Sequence, residues 1–303
     1  MNMAEPTNFQ SLRGTLKRNE SMARHLSWRA GGRAERYYVP ADAEDLALFL
    51  KQQEAEEKLL FVGLGSNLLV RDGGWRGTVV ALHAASLRPE MRDGLVFAHA
   101  GVAAPKVARF AALQHLAGAE FLAGIPGTVG GALAMNAGCY GGETWAIVAQ
   151  VQTVDRSGTL RRRTKADFEI GYRHCQMKQR KEEWFIAAWF ALEEGTGEAS
   201  RARIKELLAR RIATQPLSLP NAGSVFRNPP GDHAARLIES CGLKGLARGG
   251  ARVSEKHANF IVNPGGRAKA SDIEWLILQV KQAVFEKTGI ELAPEVRIVG
   301  EAA

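Results

Sequence analysis

Two glycine-rich stretches constrain the fold of this 303-residue chain more than any other feature. The first, GLGSN at 63–67, follows the apolar run LLFV, and the second, AGIPGTVGGALAMNAG at 123–138, has the highest glycine density in the chain. Glycine lets backbone amides approach a ligand closely, and concave arrays of amides bind phosphates without any lysine. Either stretch alone could be an ordinary turn of a β-rich domain. Two such loops, each after an apolar strand, favour a single diphosphate-containing cofactor held between them.

The first stretch differs from the phosphate loop of a Rossmann domain. It begins with two spaced glycines but lacks the third, and the following LLVRDGGWRGTVV indicates extended chain where that fold needs a helix. The sequence also contains no GxxxxGK[ST], HExxH or GxSxG motif. These absences exclude the signatures of P-loop enzymes, zincins and serine hydrolases.

The cysteines and the apolar runs bear on location. Cys139, Cys175 and Cys241 are widely spaced, so neither a disulfide framework nor a metal site is expected from them. No apolar run is long enough to span a bilayer, and the first residues, MNMAEPTNFQ, lack the layout of a signal peptide. We therefore expect a cytoplasmic protein with no membrane partner.

The net charge of +8 and the pI of about 9.6 leave two kinds of partner open. The densest basic run, RRRTK at 161–165, follows the turn signal DRSG and is best explained as a solvated hairpin edge. The remaining excess of positive charge suits a small anionic ligand, because it would steer phosphates toward a cleft. We expect a monomer that binds small molecules and no nucleic acid, with a basic nucleic-acid-binding module as the alternative.

The predicted elements indicate an α+β chain. A helix is expected at 41–51 and another at 107–116, where the apolar residues Val107, Phe110, Leu113 and Leu116 would share one face. A β-rich region follows at 148–192. The last helix has the clearest pattern: Ser271 and Glu274 would form a capping box, Gly289 would end it, and its buried face would comprise Ile273, Leu276, Ile277, Val280 and Val284.

A polar stretch, EEGTGEASRAR, suggests a domain boundary close to residue 200. After it, a basic amphipathic helix at 201–213 would turn Ile204, Leu207 and Leu208 inward. The expected division is a partly helical lead-in at 1–28, a two-lobed domain at 29–200 with lobes of about 29–95 and 96–200, and a second domain at 201–303.

Seven motifs resemble, in their order, the UDP-N-acetylenolpyruvoylglucosamine reductase family: WRAGGRA, GLGSNLLVRDGG, AGIPGTVGGALAMNAGCYGGE, GYRHCQMK, NAGSVFRNP, HANFIVN and PEVRIVG. The resemblance covers residues from about 20 to 300. The two glycine blocks identify the wider group of flavoproteins with an FAD-binding domain of the vanillyl-alcohol-oxidase/PCMH type. The pair Tyr172-Arg173, the pair Gly223-Ser224 and Glu295 indicate this particular family.

The resemblance implies a two-lobed FAD-binding domain followed by a smaller α+β substrate-binding domain. NADPH would reduce FAD, and flavin N5 would deliver hydride to the enolpyruvyl methylene carbon of UDP-N-acetylglucosamine enolpyruvate. The product would be UDP-N-acetylmuramate, a peptidoglycan precursor. Some flavoproteins of this fold attach FAD through His or Cys, but neither occurs at 63–74, so a non-covalent cofactor is expected.

Site residues follow by position in the matched motifs. Ser224 matches the family's proton donor, while Arg173 and Glu295 match residues that polarise and stabilise the enolate-like intermediate. The cofactor-binding set is Gly63, Leu64, Gly65, Ser66, Asn67, Leu68, Ile125, Pro126, Gly127, Gly130, Gly131, Asn136, Ala137 and Gly138. The expected substrate-binding set is Tyr172, Arg211, Gln215, Asn228, His257 and Asn259.

The chemistry requires these residue types. A guanidinium aimed at the substrate carboxylate would stabilise the charge that accumulates there, and an acidic group can assist only when it is protonated. Simpler explanations are a hairpin charge for Arg173, a strand-end carboxylate for Glu295 and a loop cap for Ser224. The chain has no tyrosine after Tyr172, so it resembles the short form of the family, which lacks a tyrosine-bearing lid. Another oxidoreductase on the same FAD fold is the nearest alternative.

Overall fold

The chain forms a first domain of two lobes, which is followed in the sequence by a second domain. The computed structural model describes residues 11–179 and 181–303. The strands are β1 (Thr15–Ser21), β2 (Arg33–Val39), β3 (Leu59–Val62), β4 (Leu68–Val70), β5 (Trp75–Ala81), β6 (Glu90–Arg92), β7 (Leu95–His99), β8 (Leu116–Ala117), β9 (Gly138–Cys139), β10 (Gly142–Glu143), β11 (Val148–Asp155), β12 (Leu160–Arg163), β13 (Phe168–Gly171), β14 (His174–Met177), β15 (Glu183–Phe190), β16 (Glu193–Glu194), β17 (Ala247–Arg248), β18 (Ala251–Val253), β19 (Ile261–Val262) and β20 (Arg297–Val299). The helices are α1 (Ala43–Lys51), α2 (Ala104–Leu113), α3 (Val129–Met135), α4 (Gly197–Thr214), α5 (Ala234–Ser240) and α6 (Ala270–Thr288), with short 3-10 turns at Met22–Arg24, Glu120–Gly124, Thr144–Ala146 and Lys165–Asp167.

The first lobe is built on a four-stranded sheet of order β1-β2-β5-β3. β1 is antiparallel to β2, whereas β2 and β3 both run parallel to β5. Helix α1 packs on this sheet because Leu46, Phe49 and Leu50 recur at helical spacing and bury against Tyr38 and Val80. The segment after the first glycine stretch is extended, as predicted, since it forms β4 and β5.

The expected lead-in at 1–28 belongs to the fold from β1 onward; residues 1–10 lie outside the described residues. Over residues 11–28 the predicted helical character is wrong apart from one 3-10 turn, because the polar sequence TLKRNES pairs as an edge strand with β2. Trp28 is fully buried, and its Nε1 donates to the carbonyl of Ile261 in the second domain, 2.7 Å away.

The second lobe is an antiparallel sheet of order β12-β11-β15-β7-β6, covered by α2, α3 and α4. Strands β6 and β7 lie in this sheet, so the division between the lobes precedes residue 90 rather than residue 96. On α2, Val107 is buried, but Leu113 of the same predicted face is 65% exposed because the helix ends there.

The basic run at 161–165 lies on the edge strand β12, as predicted. Arg163 pairs with Glu183 at 2.6 Å, and the guanidinium of Arg162 lies 3.8 Å above the ring of Trp189. These two arginines of the run therefore have partners on β15 of the same sheet.

The boundary predicted at residue 201 is misplaced, because it falls inside α4. Ile204 of this helix is buried in the core of the second lobe, beside Val107 and Ala111 of α2. A helix of 18 residues cannot be divided between two cores without losing its apolar stripe, so α4 belongs wholly to the second lobe.

The second domain packs α5, α6 and the three-stranded sheet β17-β18-β19 around one core. The predicted face of α6 is confirmed, since Ile273, Leu276, Ile277, Val280 and Val284 are all buried. Among the described residues, no helix has the length and apolar character needed to cross a membrane.

The predicted capping box of α6 is not formed. The carboxylate of Asp72, from the first lobe, accepts hydrogen bonds from the amides of Ala270 and Ser271, both at 2.9 Å. Glu274 is instead paired with Arg71 at 2.8 Å. The predicted C-terminal end of α6 is confirmed, because Gly289 ends this helix with φ of 70°. The first lobe thus caps the longest helix of the second domain.

Asp72→Ala should lower the stability of the folded protein by about 1 kcal/mol, because two amides at the start of α6 lose their acceptor. Burial alone would raise the pKa of Asp72, but hydrogen bonds from Ser271 and Ala270 outweigh it and lower the pKa. This stabilisation is therefore present at neutral pH and is lost as the pH falls through that lowered value. Thermal melts of the parent protein and the Asp72→Ala variant at several pH values measure this loss of stability. Ser271→Ala keeps both amides and should cost less; an equal loss would contradict this assignment.

Candidate active site

A cavity of about 620 Å³ lies between the two lobes and the second domain. Both glycine-rich stretches form part of its wall. The second domain contributes Ala222, Gly223, Ser224, Phe260, Glu295 and Arg297. Segments that are far apart in the sequence therefore meet at one site.

The two glycine-rich loops contact each other across the bottom of this cavity. A Cβ atom at Gly63 would overlap the side chain of Thr128, and one at Gly127 would lie 3.1 Å from Oγ of Ser66. Gly65 has φ of +59°, a left-handed conformation that favours glycine. Larger residues at these positions would force the loops apart.

Backbone amides in both loops are left without an acceptor. Within the described part of the chain, the amides of Gly65, Ser66, Gly127 and Thr128 donate no hydrogen bond, although three of these residues are buried. Buried amides are almost always paired in native proteins, so these four are suited to an external anion. The diphosphate of FAD has that chemistry, and the loops therefore fit the predicted cofactor.

Most residues predicted to bind the cofactor line the cavity: Gly63, Leu64, Gly65, Ser66, Asn67, Leu68, Ile125, Pro126, Gly127, Gly130, Gly131, Ala137 and Gly138. Asn136 does not line it. Its buried amide nitrogen donates to Glu143 at 2.9 Å and to the carbonyl of Gly171 at 3.1 Å, and its oxygen accepts from the amide of Trp145. Asn136 thus ties the end of α3 to the hairpin β13–β14.

That hairpin holds Arg173 in an unusual conformation. A two-residue turn, Tyr172-Arg173, joins β13 to β14, and Arg173 has φ of +51° where such turns usually have glycine. A non-glycine residue in this region costs about 1–3 kcal/mol and is found mainly at functional sites. The guanidinium donates from Nε to Glu295 at 3.0 Å and from Nη2 to the carbonyl of Gly138 at 2.8 Å.

Ser224 lies on a loop that is held by hydrogen bonds directly after it. The side chain of Asn259 accepts from the amide of Phe226 and donates to its carbonyl, and the carbonyl of Asn259 accepts from the amide of Val225. Gly223 precedes the serine with φ of +76° and open space where a Cβ would lie. The hydroxyl of Ser224 makes no hydrogen bond to any described residue, so it is available to a ligand.

Glu295 is brought to the same wall by the end of the chain. Its amide donates to the carbonyl of Val225 at 2.7 Å, and the side chain of Asn67 donates to its carbonyl oxygen at 3.0 Å. Burial raises the pKa of the Glu295 carboxyl, and the charges of Arg173 and Arg227 oppose that rise without cancelling it. Its protonated form therefore persists to a higher pH than that of a free glutamate.

Arg211 is a second, half-buried cation on the wall. Burial lowers the pKa of its guanidinium, and within the described residues it has no carboxylate partner. Its Nε donates to Oε1 of Gln215 at 2.9 Å, and both residues line the cavity. A half-buried guanidinium without a counter-charge is suited to an anionic ligand.

The other predicted substrate residues, Tyr172, Asn228, His257 and Asn259, do not line the cavity. Tyr172 is 49% exposed, with its ring 5.0 Å from the guanidinium carbon of Arg173. Asn228 accepts from the amide of Ala234 at the start of α5. His257 packs edge-on against Phe260, whose ring does line the cavity, and burial lowers the pKa of His257.

Two arginines near the site were not predicted from the sequence. Arg297 lines the cavity, and the two-residue periodicity of EVRIVG would have placed it on the same face as Glu295. Arg227 has a buried Nε without a hydrogen-bond partner among the described residues, and its charge acts on Glu295. No local pattern in NAGSVFRNP distinguishes Arg227 from a surface charge.

Both domains of the chain match known protein families. Residues 34–164 match the FAD binding domain family, and residues 215–299 match the family described as UDP-N-acetylenolpyruvoylglucosamine reductase, C-terminal domain. The second match begins just after α4, where the structure places the domain boundary.

Individual relatives match over nearly the full length. The UDP-N-acetylenolpyruvoylglucosamine reductase of Nitrosospira multiformis is 58% identical, covering 98% of this chain and 92% of its own. That of Thiobacillus denitrificans is also 58% identical, covering 96% of this chain and 94% of its own. The solved structure of the Thermus caldophilus enzyme has a TM-score of 0.80 at 31% identity, over 95% and 99% of the two chains. A 6-hydroxy-D-nicotine oxidase from Arthrobacter nicotinovorans, 12% identical with a TM-score of 0.55 over 96% and 90% of the chains, shares the fold alone.

Gly131→Leu should yield a folded protein that has lost its cofactor. The nearest atom to a Cβ at Gly131 is Oγ1 of Thr128 at 3.7 Å, so the new side chain would project into the cavity without displacing protein atoms. Visible flavin absorbance and thermal melts of the purified variant measure the two effects. Gly265→Leu, at an exposed loop with similar free space, is the control and should remain yellow. Full flavin occupancy in Gly131→Leu would show that the glycine loops are only structural.

Proposed function

The chain belongs to the UDP-N-acetylenolpyruvoylglucosamine reductase family, and from that premise we propose which of its residues carry out the reaction. It is an FAD-dependent oxidoreductase that uses NADPH to reduce UDP-N-acetylglucosamine enolpyruvate to UDP-N-acetylmuramate for peptidoglycan synthesis. Held by the two glycine-rich loops, FAD would supply hydride, obtained from NADPH, for the methylene carbon of the enolpyruvyl group. The convergence of Arg173, Ser224 and Glu295 on one cavity carries the assignment of roles.

The glycine loops hold the cofactor. Their amides at 65–66 and 127–128 bind the diphosphate of FAD, since these amides have no acceptor among the described residues. The contact between Gly63 and Thr128 keeps both loops at a fixed separation.

Ser224 is the proton donor. Reduction of the methylene carbon leaves negative charge on the neighbouring carbon, which must be protonated to complete the reaction. A serine hydroxyl is a weak acid, but an enolate is a base strong enough to take its proton. The clamp from Asn259 and the open space beside Gly223 support this role, because they fix the hydroxyl and leave room for the substrate.

Arg173 and Glu295 stabilise the charge that develops on the substrate carboxylate. Nη1 of Arg173 makes no hydrogen bond to a described residue and can bind that carboxylate while Nε holds Glu295. In its protonated form Glu295 donates a hydrogen bond to the same group, which an ionised glutamate would instead repel. The turn that strains Arg173 supports this role, since it points the guanidinium toward Glu295.

The remaining residues position the anionic parts of the substrate. Arg211, with Gln215 beside it, binds a negatively charged group of the UDP-sugar, because this half-buried cation has no acidic partner among the described residues. Tyr172 contacts the substrate through its position beside Arg173, with its ring 5.0 Å from the guanidinium carbon. Asn228, His257 and Asn259 act indirectly: they shape the wall that carries Ser224 and Phe260.

Ser224→Ala should slow reoxidation of the reduced flavin by the enolpyruvyl substrate by about 10²- to 10⁴-fold, the usual contribution of a positioned proton donor. Flavin reduction by NADPH needs no proton at that carbon and should stay near normal. Anaerobic stopped-flow mixing with NADPH, and then with the enolpyruvyl substrate, follows both half-reactions by flavin absorbance. Ser224→Cys should retain more activity than the alanine variant. If both half-reactions slow alike, or neither slows, the serine has no role as a donor.

The rate of flavin reoxidation should depend on the protonation of Glu295. Because its pKa is raised, the active protonated form exists at low pH and is lost as the pH rises through that value. Glu295→Gln keeps a neutral hydrogen-bond donor and should flatten this decline, whereas Glu295→Ala should be slow at every pH. Stopped-flow rates over a pH series provide the measurement. A glutamine variant with an unchanged pH profile would assign the decline to another group.

A further inference from the structure

A second cavity, of about 580 Å³, lies on the surface of the second lobe between α2 and α4. It shares no lining residue with the active-site cavity. Its apolar floor consists of Leu113 from α2 and of Ile204, Leu208 and Ile212 from α4. We call this surface the α2–α4 groove.

The apolar floor is unusually open to solvent. Leu113 and Ile212 are 65% and 62% exposed, the two highest values among the large apolar side chains of the described residues. They lie at the ends of their helices, whereas Ile204, farther back, is 7% exposed and belongs to the lobe's core. Neighbouring exposed apolar residues around a recess are typical of a binding surface rather than of an ordinary protein exterior.

The groove is bordered by cations that have no acidic partner. Arg201 and Lys205 form a row on α4 beside the apolar row, and Arg109 lies opposite on α2. Among the described residues none of the three forms an ion pair, whereas Arg203, on another face of α4, is paired with Glu206. Three unneutralised cations around an apolar floor favour an occupant that is apolar in the middle and acidic at its edges.

We propose that the α2–α4 groove docks an acidic amphipathic helix of a partner protein. Ile204, Leu208 and Ile212 follow each other at four-residue intervals, so the floor extends along α4 for about 12 Å, or two helical turns. A helix with apolar residues at the same spacing would match this row, and its flanking Asp and Glu side chains would reach Arg109, Arg201 and Lys205. A lipid surface is disfavoured, because membrane-binding helices present a protruding apolar face rather than a recess.

Two synthetic probe peptides of about 18 residues, or five helical turns, test this proposal. Both carry the same leucine stripe, but one has Glu and Asp beside it and the other has Lys and Arg. Fluorescence anisotropy against the flavin-loaded enzyme should show saturable binding of the acidic peptide that weakens with added salt, and much weaker binding of the basic peptide. Failure of the acidic peptide to bind, or equal binding of both peptides, would overturn the proposal.

Groove variants separate this site from general electrostatic attraction. Ile212→Glu, and the double variant Arg201→Glu with Lys205→Glu, should each weaken binding of the acidic peptide by about tenfold or more. Arg203→Glu reverses a charge on the same helix outside the groove and should leave binding nearly unchanged. Reductase activity and flavin content should be normal in all of them, which establishes that they are folded. Equal binding by the groove variants and the parent protein would contradict the proposal.

Two further measurements address other occupants. Sedimentation with phosphatidylglycerol vesicles should leave the parent enzyme in the supernatant. Co-sedimentation that Ile212→Glu abolishes would identify the groove as a lipid-binding surface and overturn the proposal. Analytical ultracentrifugation should show no association that depends on Ile212, since such association would assign the groove to a second copy of the chain.

Discussion

The parallel pairing of β20 with β4 is the interaction on which the active site depends. β4 follows the first glycine loop, and β20 follows Glu295, so the pairing brings the end of the chain to the cofactor loop. Asn67 reinforces it by donating to the carbonyl of Glu295, 228 positions away, and by accepting from the amide of Arg297. Because Glu295 also bonds through its amide to Val225, the same contact fixes the loop that carries Ser224. Arg173 then reaches Glu295 from the opposite lobe, and the three proposed catalytic side chains meet only in this assembled form.

Charge is distributed unevenly around this site, with consequences for the chemistry. Arg173, Arg211, Arg227 and Arg297 lie at or near the cavity, whereas Glu295 has a carboxyl whose protonated form burial favours. A substrate with a diphosphate and a carboxylate supplies the negative charge that the wall lacks. In the basic run at 161–165, by contrast, Arg161 and Arg163 are paired with carboxylates, and Arg162 stacks on Trp189. The net charge of +8 is therefore informative where cations without an acidic partner border a cavity, as Arg211 does at the active site and Arg109, Arg201 and Lys205 do along the α2–α4 groove.

Sequence patterns predicted features that rest on local chemistry. The face of α6, the end of that helix at Gly289 and the extended segment after the first glycine loop follow from periodicity and from glycine's freedom at positive φ, and all are confirmed. The family and the FAD-binding fold with its smaller α+β domain are confirmed as well. The capping box of α6 was wrong because a stronger acceptor, Asp72, arrives from another lobe. The boundary near residue 201 was wrong because polar composition resembles a linker, although the apolar stripe of α4 packs against α2.

The sequence by itself determined which residue types were available and in what order: two loops of glycines, a serine after a glycine, and a Tyr-Arg turn. Tertiary structure decided which of them converge. Asn136 and Asn259 have the side-chain chemistry of ligand-binding residues, but other protein groups occupy their hydrogen-bonding atoms, among them the carbonyls of Gly171 and Phe226. Arg211 and Arg163 are both arginines in basic runs, yet Glu183 neutralises only Arg163. A side chain's role depends on whether its charge and hydrogen bonds are already satisfied, and long-range packing determines that, because it sets which groups lie within a few ångströms of each other and how far water is excluded.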